Sequence, residues 1–456
     1  MKRYSAYKET ENPSSGLIPE HWQSTRLHNI CNFIRGNSAF QKDDLSTEGH
    51  YVALQYGKTY KVEKVDERFQ FYVDKKFYKS SQRVNFDDVV FVSTSETVED
   101  LGHSVHYLRK DIGLIGSEQI LLKPHTKTLD GNYLFYATKY FGKKLGGLSK
   151  GLKVFRFNID DLKTISLSFP EMEEQKSIAN YLDKETEKID QKIAGLEKKT
   201  LLYKELKQSI INETVTRGLP AKEAQAVGLN PNPPLKDSGI PWIGEIPEHW
   251  EVKRLVNICD FIRGNSTFGK NDLLDEGDYI ALQYGKTYKV DQVDEKFQFY
   301  VNENFYKSLQ RVKQDDVVFV STSETMDDLG HSYFYARKDI GLLGGEQILL
   351  RSNSKVLNGK YLYYISKSIG RQLRRSATGT KVFRFNITDI KTIFIHVPAY
   401  KEQAAIASYL DCKTTHIDKI TATITEQITT LNQLRKTLIN DVVTGKICVT
   451  DDKLTK

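Results

Sequence analysis

The sequence predicts an α+β chain: two tandem strand-rich target-recognition domains separated by a long antiparallel two-helix coiled coil, with pseudo-two-fold symmetry. Three observations predict it. The stretch LQYGKTYKV stands at 54–62 and again, letter for letter, at 282–290, a separation of 228 in a chain of 456 residues. Shifting the chain against itself by that amount lays IPEHW (18–22) on 246–250 and KVFRFNI (153–159) on 381–387, and 23 of the 30 residues in 93–122 match 321–350. Identity at that level without insertions means one fold used twice. Second, short β-branched and aromatic runs such as HYVALQYG (50–57), DVVFVSTS (88–95) and EQILLK (118–123), punctuated by Gly, Asn and Asp, read as strands. Third, glycine and proline nearly vanish from 171–217 and 399–445, and an apolar period of seven takes over.

The elements follow in order. Residues 1–170 form the first domain. A spacer helix covers 171–217, with Leu182, Ile189, Leu196, Tyr203 and Ile210 in the a-type row of its seam. Its d-type row is poorer, holding Glu185, Lys192 and Lys199 before Leu206, so the seam shifts partly onto Ile193. The stretch 218–245, loaded with Pro, Gly and Asn, is a linker. Residues 246–398 form the second domain, and 399–445 the second spacer helix. There Leu410, Ile417, Ile424, Leu431 and Leu438 recur every seven residues, joined by Ile420 and Leu434, with a polar break at Gln427 beside Ile428. Residues 446–456 are a C-terminal tail. A helix of about 40 residues carries the chain ~60 Å, so the second helix must return along the first. The expected pair is antiparallel, with one domain at each end.

Composition narrows the function. A net charge of +7 is mildly basic, which permits a polyanionic partner without demanding one. No run of about 18 apolar residues offers a membrane span, and the basic N-terminus has no apolar stretch behind it, so a cytoplasmic location is expected. Cys31, Cys259, Cys412 and Cys448 are scattered and far from metal-ligand spacing, which predicts buried or inert thiols, no metal site and no disulfides.

Three catalytic signatures fail on inspection. GNSTFGKN (264–271) imitates a phosphate loop, but it lacks the final hydroxyl and its copy GNSAFQKD (36–43) lacks the second glycine. NPPL (232–235) imitates a methyltransferase motif, yet it has no aromatic to stack a flipped base. His21/His249 and His103/His331 recur without a nucleophile and an orienting acid. Glu171, Glu173 and Glu174 suit the positive end of a helix dipole.

The chain resembles the specificity subunit of Type I restriction–modification systems, the HsdS family. The resemblance rests on SGIPWIGEIPEHWEVKRL (238–255), on DDVVFVSTSET (87–97), and above all on FPEMEEQKSIANYLDKETEKID (169–190) with its repeat VPAYKEQAAIASYLDCKTTHID (397–418). It implies a DNA-binding subunit with no active site of its own, reading the two halves of a split target in double-stranded DNA. It further implies two modification subunits that carry S-adenosylmethionine and methylate adenine, and restriction subunits that use ATP with Mg2+ to cleave DNA; no cofactor is expected on this chain. A self-contained methyltransferase or nuclease with tandem domains is the alternative. One departure is informative: the family's two recognition domains commonly differ strongly, whereas here they are near-copies, so the half-sites should be near-copies in an inverted repeat, with centres about one duplex turn (~34 Å) apart.

A DNA reader needs cations and hydroxyls for phosphates, and amides or guanidiniums for base edges. Four segments supply them. The first holds Arg35 and Asn37, mirrored by Arg263 and Asn265. Gln55, Lys58, Thr59 and Tyr60, mirrored by Gln283, Lys286, Thr287 and Tyr288, form the second. The third is STSET, with Ser93, Thr94, Ser95 and Thr97, mirrored by Ser321, Thr322, Ser323 and Thr325. Last come Lys143, Lys144, Lys153 and Arg156, mirrored by Arg371, Arg374, Arg375, Lys381 and Arg384, in a segment whose loop 143–150 against 371–378 is where the copies diverge most. Divergence there suits phosphate contacts, which position without specifying, or it encodes a difference between the half-sites.

Overall fold

A computed structural model describes residues 2–10, 16–95, 102–148, 155–288 and 290–449, without the side chains of 143, 144 and 146–148. The chain divides into two compact units, Met1–Glu197 with Thr425–Lys456, and Lys198–Ile424. Each unit therefore holds one strand-rich domain and half of each long helix.

In the first unit Val89–Val92 is the middle of a five-stranded sheet, ordered Cys31–Arg35, Gln119–Pro124, Val89–Val92, Ser104–Tyr107, Lys64–Val65. The run VVFV is buried at all four positions because both faces of the sheet are covered. Side chains alternate across a strand. Val89 and Phe91 accordingly join the core beneath helix Gly131–Leu148, while Val90 joins Val52, Leu54 and Val105 on the other side. That second layer is a four-stranded sheet ordered Tyr72–Val73, Tyr51–Leu54, Gly113–Ile115, Arg83–Val84. The second unit repeats the plan: Val89 opposite Leu122 becomes Val317 opposite Leu350, and Val318 again faces away from Val317 and Phe319.

The long helices run over Met172–Arg217 and Tyr400–Val443. Glycine ends each of them in the left-handed conformation, Gly218 at φ 88° and Gly445 at φ 72°. At each start a buried glutamate ties the helix to the IPEHW segment. Glu174 accepts hydrogen bonds from Trp22 Nε1, Tyr4 Oη and His21 Nε2, and Glu402 accepts from Trp250 Nε1 and His249 Nε2. Acidic residues in a first turn also meet the positive end of the helix dipole.

The two helices run antiparallel within each unit. In the first, Leu182 and Ile189 share a core with Leu438, Ile439 and Val442, and Asp190 Oδ1 meets Arg435 Nε at 2.9 Å. In the second, Ile211 and Val215 share a core with Ile406, Ala407 and Leu410, and Lys207 Nζ meets Asp418 Oδ1 at 2.8 Å. The second ion pair is the first displaced by 228 residues with the charges exchanged between helices. Of the a-type row, Leu182, Ile189, Leu410, Ile417, Ile424 and Leu438 are buried, and Leu196, Tyr203, Ile210 and Leu431 are half-buried. The d-type row departs from the expectation: Leu206 and Leu434 are exposed and Ile420 is half-buried. Where a domain covers the pair, burial extends to Ile211, Val215, Ile439 and Val442 instead.

Among the described residues no helix is long and apolar enough to cross a membrane, and no cluster of metal-ligating side chains occurs. None of the four cysteines forms a disulfide; Cys31, Cys259 and Cys448 are buried, and Cys412 lies exposed on the second long helix. Burial pushes the Cys31 and Cys259 thiols up to about 12, which suppresses their reactivity.

Candidate nucleic-acid interface

The loop after strand Cys31–Arg35 turns at a glycine for want of space: a Cβ on Gly36 would stand 1.8 Å from the Gly116 carbonyl oxygen, and one on Gly264 would stand 1.8 Å from that of Gly344. On either side of this turn Arg35 and Asn37 point outward and are exposed, as are Arg263 and Asn265. A buried glutamine sets the turn. Gln82 Oε1 accepts from the Asn37 N–H at 2.8 Å and Gln82 Nε2 donates to the Arg35 carbonyl at 3.2 Å, while Gln310 does the same for Asn265 and Arg263 at 2.9 and 3.1 Å. Lys79 and Lys307 donate to the Asn37 and Asn265 carbonyls, each at 2.9 Å. Two polar side chains thus hold each loop, and a sequence reading missed them because each lies 42 or more residues from its partner.

Neighbouring loops share this rim. Gly36 N donates to the Gln119 carbonyl, Gly116 N to that of Leu54, and Ser93 N to that of Glu118. Thr94 pairs with Arg156 across a short ladder, and Arg35 Nη1 reaches Asn158 Oδ1 at 3.4 Å. The one-turn helix Tyr56–Thr59 carries Gln55 at its start, and Lys58 Nζ lies 4.4 Å from the centre of the Phe71 ring. Tyr56 and Tyr60 rings stand 6.3 Å apart. The second unit reproduces this with Tyr284–Thr287, Lys286 over Phe299 at 4.5 Å, and Tyr284 beside Tyr288 at 6.1 Å.

The structure separates the sequence-derived candidates. Arg35, Asn37, Arg156, Arg263, Asn265, Lys381 and Arg384 are exposed, and Gln55, Lys58, Tyr60, Gln283, Lys286 and Tyr288 are half-buried on the same rim. By contrast Thr59 and Thr287 are wholly buried, and Thr59 Oγ1 accepts from Gln119 Nε2 at 2.6 Å. The hydroxyls of the STSET segment are interior too: Ser93, Thr94, Ser95, Ser321, Thr322 and Ser323 are all buried. Thr94 Oγ1 donates to the Glu118 carboxylate and Thr322 Oγ1 to that of Glu346. Thr325 is exposed and caps a turn by donating to Asp328 Oδ2 at 2.7 Å. Thr97 and Lys153 lie outside the described residues, as do the side chains of Lys143 and Lys144. In the second unit Arg371 donates to Asn212 Oδ1 at 2.6 Å and Arg374 to the Leu329 and Asp327 carbonyls, whereas Arg375 is exposed with no hydrogen bond or ion pair to a described residue.

Glu118 and Glu346 were not anticipated. Both adopt positive φ, 61° and 62°, a strained choice for a side chain with a Cβ, and both accept from a buried threonine of the STSET segment. The recurring histidines have structural partners: His21 and His249 bond the helix-start glutamates, and His103 and His331 bond the Val62 and Val290 carbonyls, each at 2.7 Å. Burial lowers the pKa of His103 and of His331.

The rim is anchored to the long helices. The segment after helix Tyr56–Thr59 leads to Glu63, where burial works against the carboxylate, yet Lys139 and Arg435 hold its pKa down at about 2. Next to it Lys64 Nζ meets Asp183 Oδ1 at 2.6 Å, an oxygen that also accepts from Tyr136 Oη at 2.6 Å. In the second unit Asp291, held at about 2 against its burial, meets Lys367 at 2.7 Å and Lys207 at 3.6 Å.

Such a rim suits a polyanion whose edges carry donors and acceptors. Guanidiniums address guanine, amides address adenine and carboxylates accept from the cytosine amino group. Comparison with known proteins bears on this reading. Residues 19–198 and 247–430 match the family described as the Type I restriction modification DNA specificity domain. The chain is 25% identical over 452 residues to the putative type I restriction enzyme MjaX specificity subunit of Methanocaldococcus jannaschii, covering 97% of each. It is 23% identical to the StySPI specificity subunit of Salmonella potsdam, over 95% of this chain and 90% of that one. In fold it is similar to a chain from a structural study of complex assembly and conformational transition of the type I R-M system, with a TM-score of 0.68 at 16% identity over 94% of this chain and 99% of that one.

Proposed function

The chain belongs to the Type I restriction–modification DNA specificity family, as a non-catalytic specificity subunit with two target-recognition domains, and from that premise we propose that its target is an inverted repeat of one half-site. One observation carries the proposal: the rim is duplicated down to its supports. Arg35, Asn37, Gln55, Lys58, Tyr60 and Arg156 have Arg263, Asn265, Gln283, Lys286, Tyr288 and Arg384 as counterparts, and Gln82 and Gln310 pin the two loops with the same pair of hydrogen bonds. Two surfaces of one chemistry read one sequence. Antiparallel helices support the inverted orientation, since each unit pairs the beginning of one helix with the end of the other.

In this reading the domains 1–170 and 246–398 are the readers, the helices 171–217 and 399–445 are spacer and docking surface, 218–245 is a linker and 446–456 a tail. The exposed and half-buried residues of the rim make the DNA contacts. Two modification subunits dock on the helices, bringing S-adenosylmethionine for adenine methylation, and restriction subunits bring ATP and Mg2+ for cleavage, all in the cytoplasm. Sequencing that detects methylated adenine, on DNA from cells carrying the complete system, tests the target. The expected motif is palindromic with a central gap; two unrelated half-motifs would overturn it.

A further inference from the structure

The two units part company beside the end of the long helix that closes each of them. Beside the end of the first long helix, the second unit has a cleft of about 620 Å³ between that helix, the domain helix Gly359–Arg375 and Trp242 of the linker. Three guanidiniums line it, from Arg217, Arg371 and Arg375, against the single carboxylate of Glu213. Their charge is poorly compensated. Arg371 is bonded to the neutral amide of Asn212, Arg217 reaches Glu245 only at 4.0 Å, and Arg375 has no partner among the described residues. The neighbouring Arg374 is engaged elsewhere, donating to the Leu329 and Asp327 carbonyls of the loop before strand Ser332–Tyr335.

His396 also lines the cleft. It is wholly buried and stacked on Trp250, and neither ring nitrogen completes a hydrogen bond with a described residue, although the Val215 carbonyl lies near the ring. A buried imidazole left without partners is costly, so a group entering the cleft is expected to meet it. The first unit lacks these guanidiniums and this imidazole in its sequence. At the equivalent positions stand Gly445 for Arg217, Gly147 for Arg375, Lys143 for Arg371 and Ser168 for His396. The cleft is therefore required neither by the domain fold nor by the reading of a half-site, and the rim residues Arg263, Gln283 and Arg384 do not line it.

We propose that this cleft is a binding site for one small phosphate-class oxyanion, held by Arg217, Arg371 and Arg375 with an N–H of His396 at its inner wall. Guanidiniums present paired donors that match phosphate oxygens bidentately, and a neutral imidazole supplies one further donor. The inference does not rest on the symmetry of the DNA target.

Titration calorimetry of the full chain with inorganic phosphate, in low-chloride buffer, tests it. One saturable site per chain is expected. R375A, which alters an exposed residue and leaves the melting curve unchanged, weakens binding about tenfold or more. H396S, which installs the residue that the first unit carries at 168, weakens it as well. Repeating the titration with the chain saturated by duplex DNA distinguishes a free anion from a backbone phosphate. Undiminished phosphate binding supports the site; displacement by DNA overturns it in favour of a backbone contact. The absence of a saturable signal, or binding that R375A leaves unchanged, also overturns it.

Discussion

At the scale of single residues, exposure sorts the polar side chains better than their chemistry does. A run such as STSET looks like a surface built for phosphates, yet Ser93, Thr94 and Ser95 are interior, and Thr94 satisfies itself on Glu118. Buried hydroxyls are acceptable once they are paired, and pairing across 24 residues is invisible in a local reading. Arg35 and Arg263 are the opposite case, exposed at the ends of rigid strands. Replacing both by alanine is expected to relax the methylation motif at one position in each half-site, because a bidentate guanidinium contributes about 1–3 kcal/mol of discrimination. Methylation sequencing checks this; an unchanged motif would remove both residues from the reading set. His396 gives a pH dependence. Burial holds its pKa down at about 4, below the ordinary value of about 6.5. Between those values the unfolded chain takes up a proton that the folded chain refuses, so stability falls as the pH drops through that window. The loss between pH 7 and pH 4.5 is on the order of 2 kcal/mol. H396S should remove that part of the decline in urea melts at the two pH values.

At the scale of elements, the long helices were legible because their apolar period of seven is sustained, and no residue of the a-type row is exposed. The d-type row was not, since what buries a helix face depends on which other elements reach it. Leu182 lies under a domain and is wholly buried, whereas Leu434 is 51% exposed. Leu182→Ala is expected to cost about 2–5 kcal/mol through lost packing and a residual cavity, and Leu434→Ala less than about 0.5 kcal/mol. Denaturant melts of the two variants decide it; equal losses would mean that the seam runs through both. The strands were legible as apolar runs, but their order was not, because the pairing of Val89–Val92 with Gln119–Pro124 and Ser104–Tyr107 is non-local. The ties between rim and helix were hidden for the same reason. Glu63 and Arg435 are 372 residues apart in sequence. Arg435→Ala leaves Glu63 with Lys139 alone, and amide hydrogen exchange over 56–65 is expected to quicken while exchange in the buried strand Val89–Val92 is unaffected.

At the scale of the whole molecule, a repeat of 228 residues was the most informative feature of the sequence, because an alignment without gaps carries every register with it. The pairing of Cys31–Arg35 with Gln119–Pro124 returns as that of Cys259–Arg263 with Gln347–Ser352. What repetition cannot reveal is which of the surviving differences matter. Several sit at the junction with the long helices, where Asn132 and Lys64 meet Asp183 in the first unit and Lys360 meets Asp411 in the second. Others build the cleft around Arg371 and Arg375. Neither group lies on the rim. A chain in which residues 246–398 are replaced by a second copy of 18–170, equal in length and register, therefore separates reading from everything else. In cells that supply the modification and restriction subunits, it should methylate the same gapped palindrome as the parent chain, although it lacks the guanidiniums at 371 and 375 and the imidazole at 396. Sequencing of methylated adenine reads the result directly. If the chimera's motif differs from the parent's in one half, the half-sites are not equivalent, and the differences between the domains encode part of the target.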